Sequence, residues 1–412
     1  MNFGQSMQEV QILKQYNLVL IRYGEIWLKS QKVKIRMLKT LMNNIKNTLG
    51  RNNISFHKYQ LSKDSSRIFF FFNNKDLHKA ANILKNISGI YSVSPALRTS
   101  SNLKNISERT IEIAKEILQK NDSFALRIKR SGKHNYRSLE LAKIVGQTIL
   151  DNFKELKLSV NLTNPKKKIY IEVRDDFCYI FSQIIKNNWG GLPVESSKRV
   201  VVMDVGRITD IIAGFLMMRR GCVIYPVLFK NVKDSSILKM WVSNWEKVRE
   251  YFPLNNFKLL KVDLFYILEI INQKIQNKQY ICGICRLIRL NILAELLKVS
   301  NFGDFRKSVG IIDGITLNSS TLCSDEVDLQ TISLNYLFSN YPVFTPNIGY
   351  DLQEITKIQN QISTQFQEYD YCHFKPKNQE FKDKELKEIY ESMKIDDLVR
   401  RSIENIEEIK II

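Results

Sequence analysis

The sequence predicts a multidomain α/β protein. A small α+β unit comes first, a second basic unit follows, and a doubly wound parallel-sheet domain comes last. Three observations carry this. The chain has 412 residues, more than one typical core accommodates. Near the N-terminus, strand-like and helical runs alternate at short spacing. From Arg199 the pattern lengthens into strand, helix, strand, which is the signature of parallel βαβ units.

The elements follow in order. Residues 17–22, Asn-Leu-Val-Leu-Ile-Arg, read as a strand. After Tyr23-Gly24-Glu25 comes a helix in which Val33, Met37, Leu41 and Ile45 recur at helical spacing, with Lys32, Lys34, Arg36 and Lys39 between them. Arg67 to Phe72 reads as a second strand and Leu77 to Ile87 as a short helix. The first domain is assigned to 1–75 and the second to 76–187. In the second, Phe124 to Arg130 alternates apolar and basic residues, as a half-buried strand does, and leads into a basic turn around Gly132. Ser138 is a suitable N-cap for a helix over Leu139 to Phe153. Ile169 to Val173 and Phe177 to Ile184 read as strands paired around Arg174-Asp175-Asp176. The turn formers, Pro193 and the small polar residues that follow make Asn187 to Lys198 a linker. The third domain is assigned to 188–380. There Val200 to Asp204, a helix from Ile208, and Val223 to Phe229 form a βαβ unit. Ile281 to Leu297 is a helix that opens on Cys282 and Cys285, and Val309 to Ile312 is a further strand. Residues 381–412 are charged, with i,i+4 pairs, and read as a helical tail.

Composition narrows the function. Lys and Arg number 62 against 42 Asp and Glu, a net charge of +20. Such a balance favours a polyanionic partner and by itself does not separate RNA from an anionic membrane surface. No apolar run approaches the roughly 20 residues that span a bilayer. Met1 to Gln15 is polar and lacks a signal h-region, so a cytoplasmic protein without membrane contact is expected. Six cysteines in a chain this long are not a disulfide framework. The four histidines show no spacing that selects a hydrolase triad.

Several segments carry a resemblance. The run "RYGEIWLKS" (Arg22 to Ser30) resembles the opening of the tRNA 4-thiouridine synthetase (tRNA sulfurtransferase) family. "FALRIKRSGKHNYRSLELAKIVGQTIL" resembles that family's THUMP domain, and "WGGLPVESSKRVVVMDVG" its linker into the PP-loop. "FLMMRRG", "PVFTPNIGYDLQEI" and "DYCHFKPKNQE" are similar to later segments, in the family's order. The resemblance is to the shorter, rhodanese-less, archaeal-like members. It implies an N-terminal ferredoxin-like domain, a THUMP RNA-binding domain, and a PP-loop domain of the adenine nucleotide alpha hydrolase-like type. It further implies tRNA, held by its acceptor region, as the partner and 4-thiouridine as the product. ATP would adenylate the uridine carbonyl oxygen, and a persulfide or sulfide would then displace AMP.

The family's loop, Ser-Gly-Gly-x-Asp-Ser, falls on Val205 to Asp210 when counted back from Met217-Met218-Arg219-Arg220-Gly221. Only Gly206 matches its glycines. Arg207 brings side-chain bulk where a glycine would let amides close on pyrophosphate. Asp210 would repel the phosphate that a helix N-terminus attracts, and it also suits a first helical turn where no anion binds. The stretch Asp313 to Gln330 also lacks the family's Gly-Gln pair. Impaired ATP-dependent adenylation is therefore expected. The alternative is an active sulfurtransferase whose unusual nucleotide site uses Gly206 and Arg207.

Three cysteines match the family's reactive positions: Cys282, Cys285 and Cys372. The resemblance links them to sulfur relay or to an iron–sulfur cluster, and a Cys-x-x-Cys at a helix N-terminus favours thiolate. Cys178 and Cys222 read as buried small hydrophobes, and Cys323 has no assigned role. ATP supplied by a partner with an intact loop, a separate sulfur donor, and a homodimer are further expectations. The RNA-facing candidates are Lys129, Arg130, Lys133, His134 and Arg137, with Arg22, Lys29 and Arg36 as a second basic group.

Overall fold

The computed structural model describes residues 10–298, 307–317, 332–333, 339–368, 372–377 and 382–411. The chain forms two compact units, 1–193 and 194–412.

The first unit is built on strands β1 (Leu18–Tyr23), β2 (Lys58–Leu61), β3 (Ile68–Phe71), β4 (Ile90–Ser100), β5 (Ser123–Ser131), β6 (Ser159–Val160), β7 (Lys167–Arg174), β8 (Phe177–Phe181) and β9 (Ile185–Lys186). Their order is β2-β3-β1-β4-β8-β7-β5-β6, with β9 also on β4. The unbroken apolar run of β1 is explained by burial on both faces. Val19 and Ile21 enter one cluster with Met37, Leu41, Ile45 and Phe70, while Leu18 and Leu20 enter another with Phe69, Tyr179 and Phe181. The amphipathic helix α1 (Gln31–Arg51) supplies Met37, Leu41 and Ile45 at the predicted spacing. Helices α2 (Asn74–Leu84), α3 (Leu103–Ile117) and α4 (Ser138–Asn152) complete the unit. The predicted hairpin is present: β7 and β8 pair antiparallel, Val173 opposite Cys178. The long strand β4 was not predicted, because its serines and Pro95 argue against a central strand. One edge of β4 pairs with β9 at Ser92–Val93 and with β8 at Leu97–Ser100, and Pro95 falls in the gap between them.

The second unit has strands β10 (Glu195–Asp204), β11 (Cys222–Lys230), β12 (Lys258–Asp263), β13 (Ser308–Asp313), β14 (Val343–Phe344) and β15 (Glu407–Lys410) in the order β14-β13-β10-β11-β12-β15. All neighbours are parallel except β12 and β15. The central strands are covered on both sides, which is why they read as unbroken apolar runs. Helices α5 (Ile208–Arg219), α6 (Ser236–Arg249), α7 (Phe265–Lys274), α8 (Ile281–Lys298) and α9 (Leu352–Ile362) surround the sheet. The tail forms α10 (Asp383–Ser392) and α11 (Asp396–Glu404) and then departs from the helical expectation. Its last segment, β15, joins the sheet edge through Lys261–Glu407 (2.6 Å) and Lys258–Glu408 (3.0 Å) ion pairs. No helix among the described residues is long and apolar enough to cross a membrane.

Candidate nucleotide loop, cysteine cavity and basic surface

The carboxyl end of a parallel sheet is where a doubly wound fold binds its ligand. Here β10 ends at Asp204, the chain turns through Val205-Gly206-Arg207, and α5 begins at Ile208. Gly206 sits at φ +92°, a left-handed conformation that favours glycine. Two of the loop's amides are bonded to carboxylates beside it. Val205 N–H donates to Asp210 Oδ2 (3.1 Å), and Gly206 N–H donates to Asp204 Oδ1 (2.7 Å). Ile208 N–H donates to Glu368 Oε1 (3.4 Å). The Arg207 side chain turns inward and is 3% exposed. It grips Asp210 with two bonds, Nε to Oδ2 (3.0 Å) and Nη2 to Oδ1 (2.5 Å), a fork geometry.

The neighbouring strand supplies the opposite wall. Asp313 ends β13, lies 3.6 Å from Arg207 Nη2, and accepts a hydrogen bond from Arg286 of α8. Burial alone would raise the Asp313 carboxyl, but the guanidinium groups of Arg286, Arg207 and Arg289 more than offset it and hold it below its ordinary value. Next to it, Gly314 lies against the start of α5. An added Cβ there would come within 2.5 Å of Asp210 N, so the backbone itself requires glycine. Asn347 Nδ2 bridges Thr209 O (2.7 Å) and Gly314 O (3.1 Å). On the far side Asp204 accepts from Trp241 Nε1 and, at 2.7 Å, from Trp245 Nε1. Burial, then the charge of Asp210, pushes the Asp204 carboxyl up to about 7.

The predicted cysteines converge. Cys282, Cys285 and Cys372 line one small cavity with Val205, Asn231, Leu264, Leu268, Ile281 and Phe374. All three cysteines are half-buried. The cavity touches the nucleotide loop through Val205 alone. The iron–sulfur expectation finds no support: among the described residues no three His, Cys, Asp or Glu side chains are grouped so as to hold a metal ion. Cys178 and Cys222 are buried, and burial raises both thiols. Cys323, like most of the stretch from Asp313 to Gln330, lies outside the described residues.

The basic candidates divide. Lys129, Lys133 and Arg137 are exposed, and Arg130 and His134 half-buried, at the end of β5 and in the turn before α4. His134 has a structural bond: its Nε2 is 2.8 Å from Asp175 O, and its Nδ1 is 3.4 Å from Arg130 Nη1. Lys29 and Arg36 are exposed. Arg22 is the correction. It is 9% exposed, bonded to Ser94 Oγ (3.0 Å) and Glu172 Oε2 (3.3 Å), and packed over the Phe181 ring. A side chain so enclosed pins strands together and cannot meet an RNA phosphate.

Sequence reasoning did not find Asp313, Arg286, Arg289, Trp241, Trp245, Asn347 or Glu368. One signal was available: Arg286 and Arg289 are two charges one turn apart in the apolar stretch from Ile281 to Leu290, where burial forces partners upon them.

Comparison with known proteins covers nearly the whole chain. Residues 18–94 match the ThiI ferredoxin-like domain, 100–183 the THUMP domain, and 195–395 the family described as "Thiamine biosynthesis protein (ThiI)". A Methanobrevibacter smithii protein named "Probable tRNA sulfurtransferase" is 28% identical over 387 residues, covering 89% of this chain and 92% of that protein. One of the same name from Saccharolobus islandicus is 29% identical over 355 residues, covering 84% and 87%. The crystal structure of PH1313 from Pyrococcus horikoshii shares 25% identity with a TM-score of 0.64, covering 84% of this chain and 99% of that one. A 4-thiouridine synthetase, solved as an RNA complex with bound ATP, shares the fold at a TM-score of 0.78 and 20% identity, covering 96% and 100%.

Proposed function

Because the chain belongs to the ThiI family, whose relatives are named tRNA sulfurtransferases, we propose that it is a tRNA-binding protein whose nucleotide loop holds its own side chains where ATP phosphates would lie. One observation carries this reading. The Val205 and Gly206 amides serve the carboxylates of Asp210 and Asp204, and the Arg207 guanidinium closes over Asp210. A pyrophosphate entering there would have to displace two carboxylates from their donors. It would also meet the charge of Asp210, which cancels what the helix N-terminus offers. ATP therefore does not fit the loop in this arrangement, and no adenylation step is assigned to it. The THUMP match, the net charge of +20 and the exposed Lys129, Lys133 and Arg137 support tRNA as the partner.

The test is ATP titration of the full chain by calorimetry. No binding is expected at micromolar ATP, and a micromolar Kd would overturn the reading. A second reading concerns the thiols. Cys282, Cys285 and Cys372 share a cavity bordered by the loop, which favours retention of a sulfur-handling step. The protein would then serve thiolation beside a partner that has an intact loop. Mass spectrometry of tRNA from a deletion strain decides this: loss of 4-thiouridine supports the second reading, and unchanged 4-thiouridine removes it.

A further inference from the structure

We propose that Trp27 is a stacking platform for an unpaired nucleobase of bound RNA, a contact that rests on the RNA-binding reading above. Of the four tryptophans, Trp189, Trp241 and Trp245 are 4%, 0% and 0% exposed, whereas Trp27 is 55% exposed. It sits on a short turn, Glu25–Leu28, anchored by the fully buried Ile26. The neighbouring apolar side chains Leu28 (83%) and Ile35 (59%) are also exposed. Tyr91, 51% exposed, packs against Gly24 just before the turn. The Lys34 ammonium lies 3.8 Å from the centre of the indole ring, which fixes the ring by a cation–π contact.

The charge around this patch selects the partner. The turn itself carries Glu25, but from Ile26 to Thr40 there are five Lys and Arg residues and no Asp or Glu. Lys32 and Lys34 even occupy the first turn of α1, where a helix favours acids. Local rules broken in this way mark a functional surface. An aromatic face beside phosphate-binding cations is the recurring design for single-stranded nucleic acid. A single tryptophan on a turn does not make the continuous apolar helix face that lies in a bilayer surface.

The test compares two RNAs on the full chain: a blunt duplex, and the same duplex with a four-nucleotide single-stranded overhang. Affinity and intrinsic tryptophan fluorescence are both read. The overhang should bind more tightly and quench the exposed indole. Trp27→Ala should lower overhang affinity about 5- to 100-fold and leave the blunt duplex unchanged, and Trp27→Phe should restore most of the difference. Equal loss for both RNAs, or no loss, would overturn the proposal while leaving RNA binding intact. If neither RNA binds, the RNA reading falls and the proposal with it. If phosphatidylserine vesicles quench Trp27 and the overhang does not, the surface belongs to a membrane and the proposal is wrong.

Discussion

Each unit of this chain buries a cluster of arginines and carboxylates, and the two clusters do different things. In the first unit a single carboxylate, Glu172, gathers Arg22 (3.3 Å), Arg67 (2.8 Å) and Arg174 (2.6 Å). These groups come from β1, β7 and the approach to β3, so the cluster stitches strands of one sheet. In the second unit Arg207 lies between Asp210 and Asp313, and the carboxylates of Asp204 and Asp210 also serve backbone amides of a strand–helix turn. The chemistry is the same. The difference lies in the backbone donors: in the second unit the carboxylates of Asp204 and Asp210 also accept from the amides of Gly206 and Val205, whereas Glu172 is held by side chains.

Substitutions test that contrast, the largest effect first. Glu172→Gln leaves three guanidinium groups around one neutral amide and should cost about 3–5 kcal/mol in urea unfolding, with the first unit melting first. Arg207→Met strands Asp210 and should cost about 3 kcal/mol by the same measurement. Replacing the second cluster as a set, with Val205→Ser, Arg207→Gly, Thr209→Asp and Asp210→Ser, removes both partners together. It should cost less than Arg207→Met alone and should create ATP binding detectable by calorimetry. A large fall in melting temperature without nucleotide binding would break the comparison.

Acid titration separates the clusters by sign. Asp204 is raised from 3.8 to about 7, so its contribution is fully present below about pH 4 and is lost as pH rises through 7. For Glu172, burial opposes ionisation, but the three arginines hold its carboxyl below 4.5. Its contribution is therefore present above pH 4.5 and is lost as pH falls through the lowered value. Melting curves from about pH 2 to 8 should show Asp204→Asn flattening the neutral-side decline and Glu172→Gln flattening the decline below pH 4.5. The smallest effect is at His134. His134→Ala removes the bond to Asp175 O and should cost about 1 kcal/mol, with little change in tRNA affinity in a filter-binding assay.

Legibility followed the same physics. Helix α1 could be read because Met37, Leu41 and Ile45 face one core, and β1, β10 and β11 because burial on both faces leaves only apolar residues. The three cysteines could be placed near one another only through the family pattern, since their sequence separation carries no geometry. Strand β4 hid behind Pro95. Arg22 and Arg207 departed from their reading in different ways: one read as RNA-facing surface charge is enclosed, and the other, read as bulk in the loop or as a phosphate ligand, is half of an ion pair. Partners such as Glu172 and Asp313 lie about 100 to 150 residues away in sequence, and periodicity is blind at that range.

The tail touches the helix that carries the thiols. Leu386 packs on Gly283, Tyr280 donates to Glu385, and Asn291 donates to Tyr390 Oη (3.0 Å). Gly283 lies between Cys282 and Cys285, so whatever loosens the tail uncovers that turn of α8. The alkylation rate of these cysteines is thereby a clock for the opening of the tail, and it can be read on the unmodified protein without a label or a substrate.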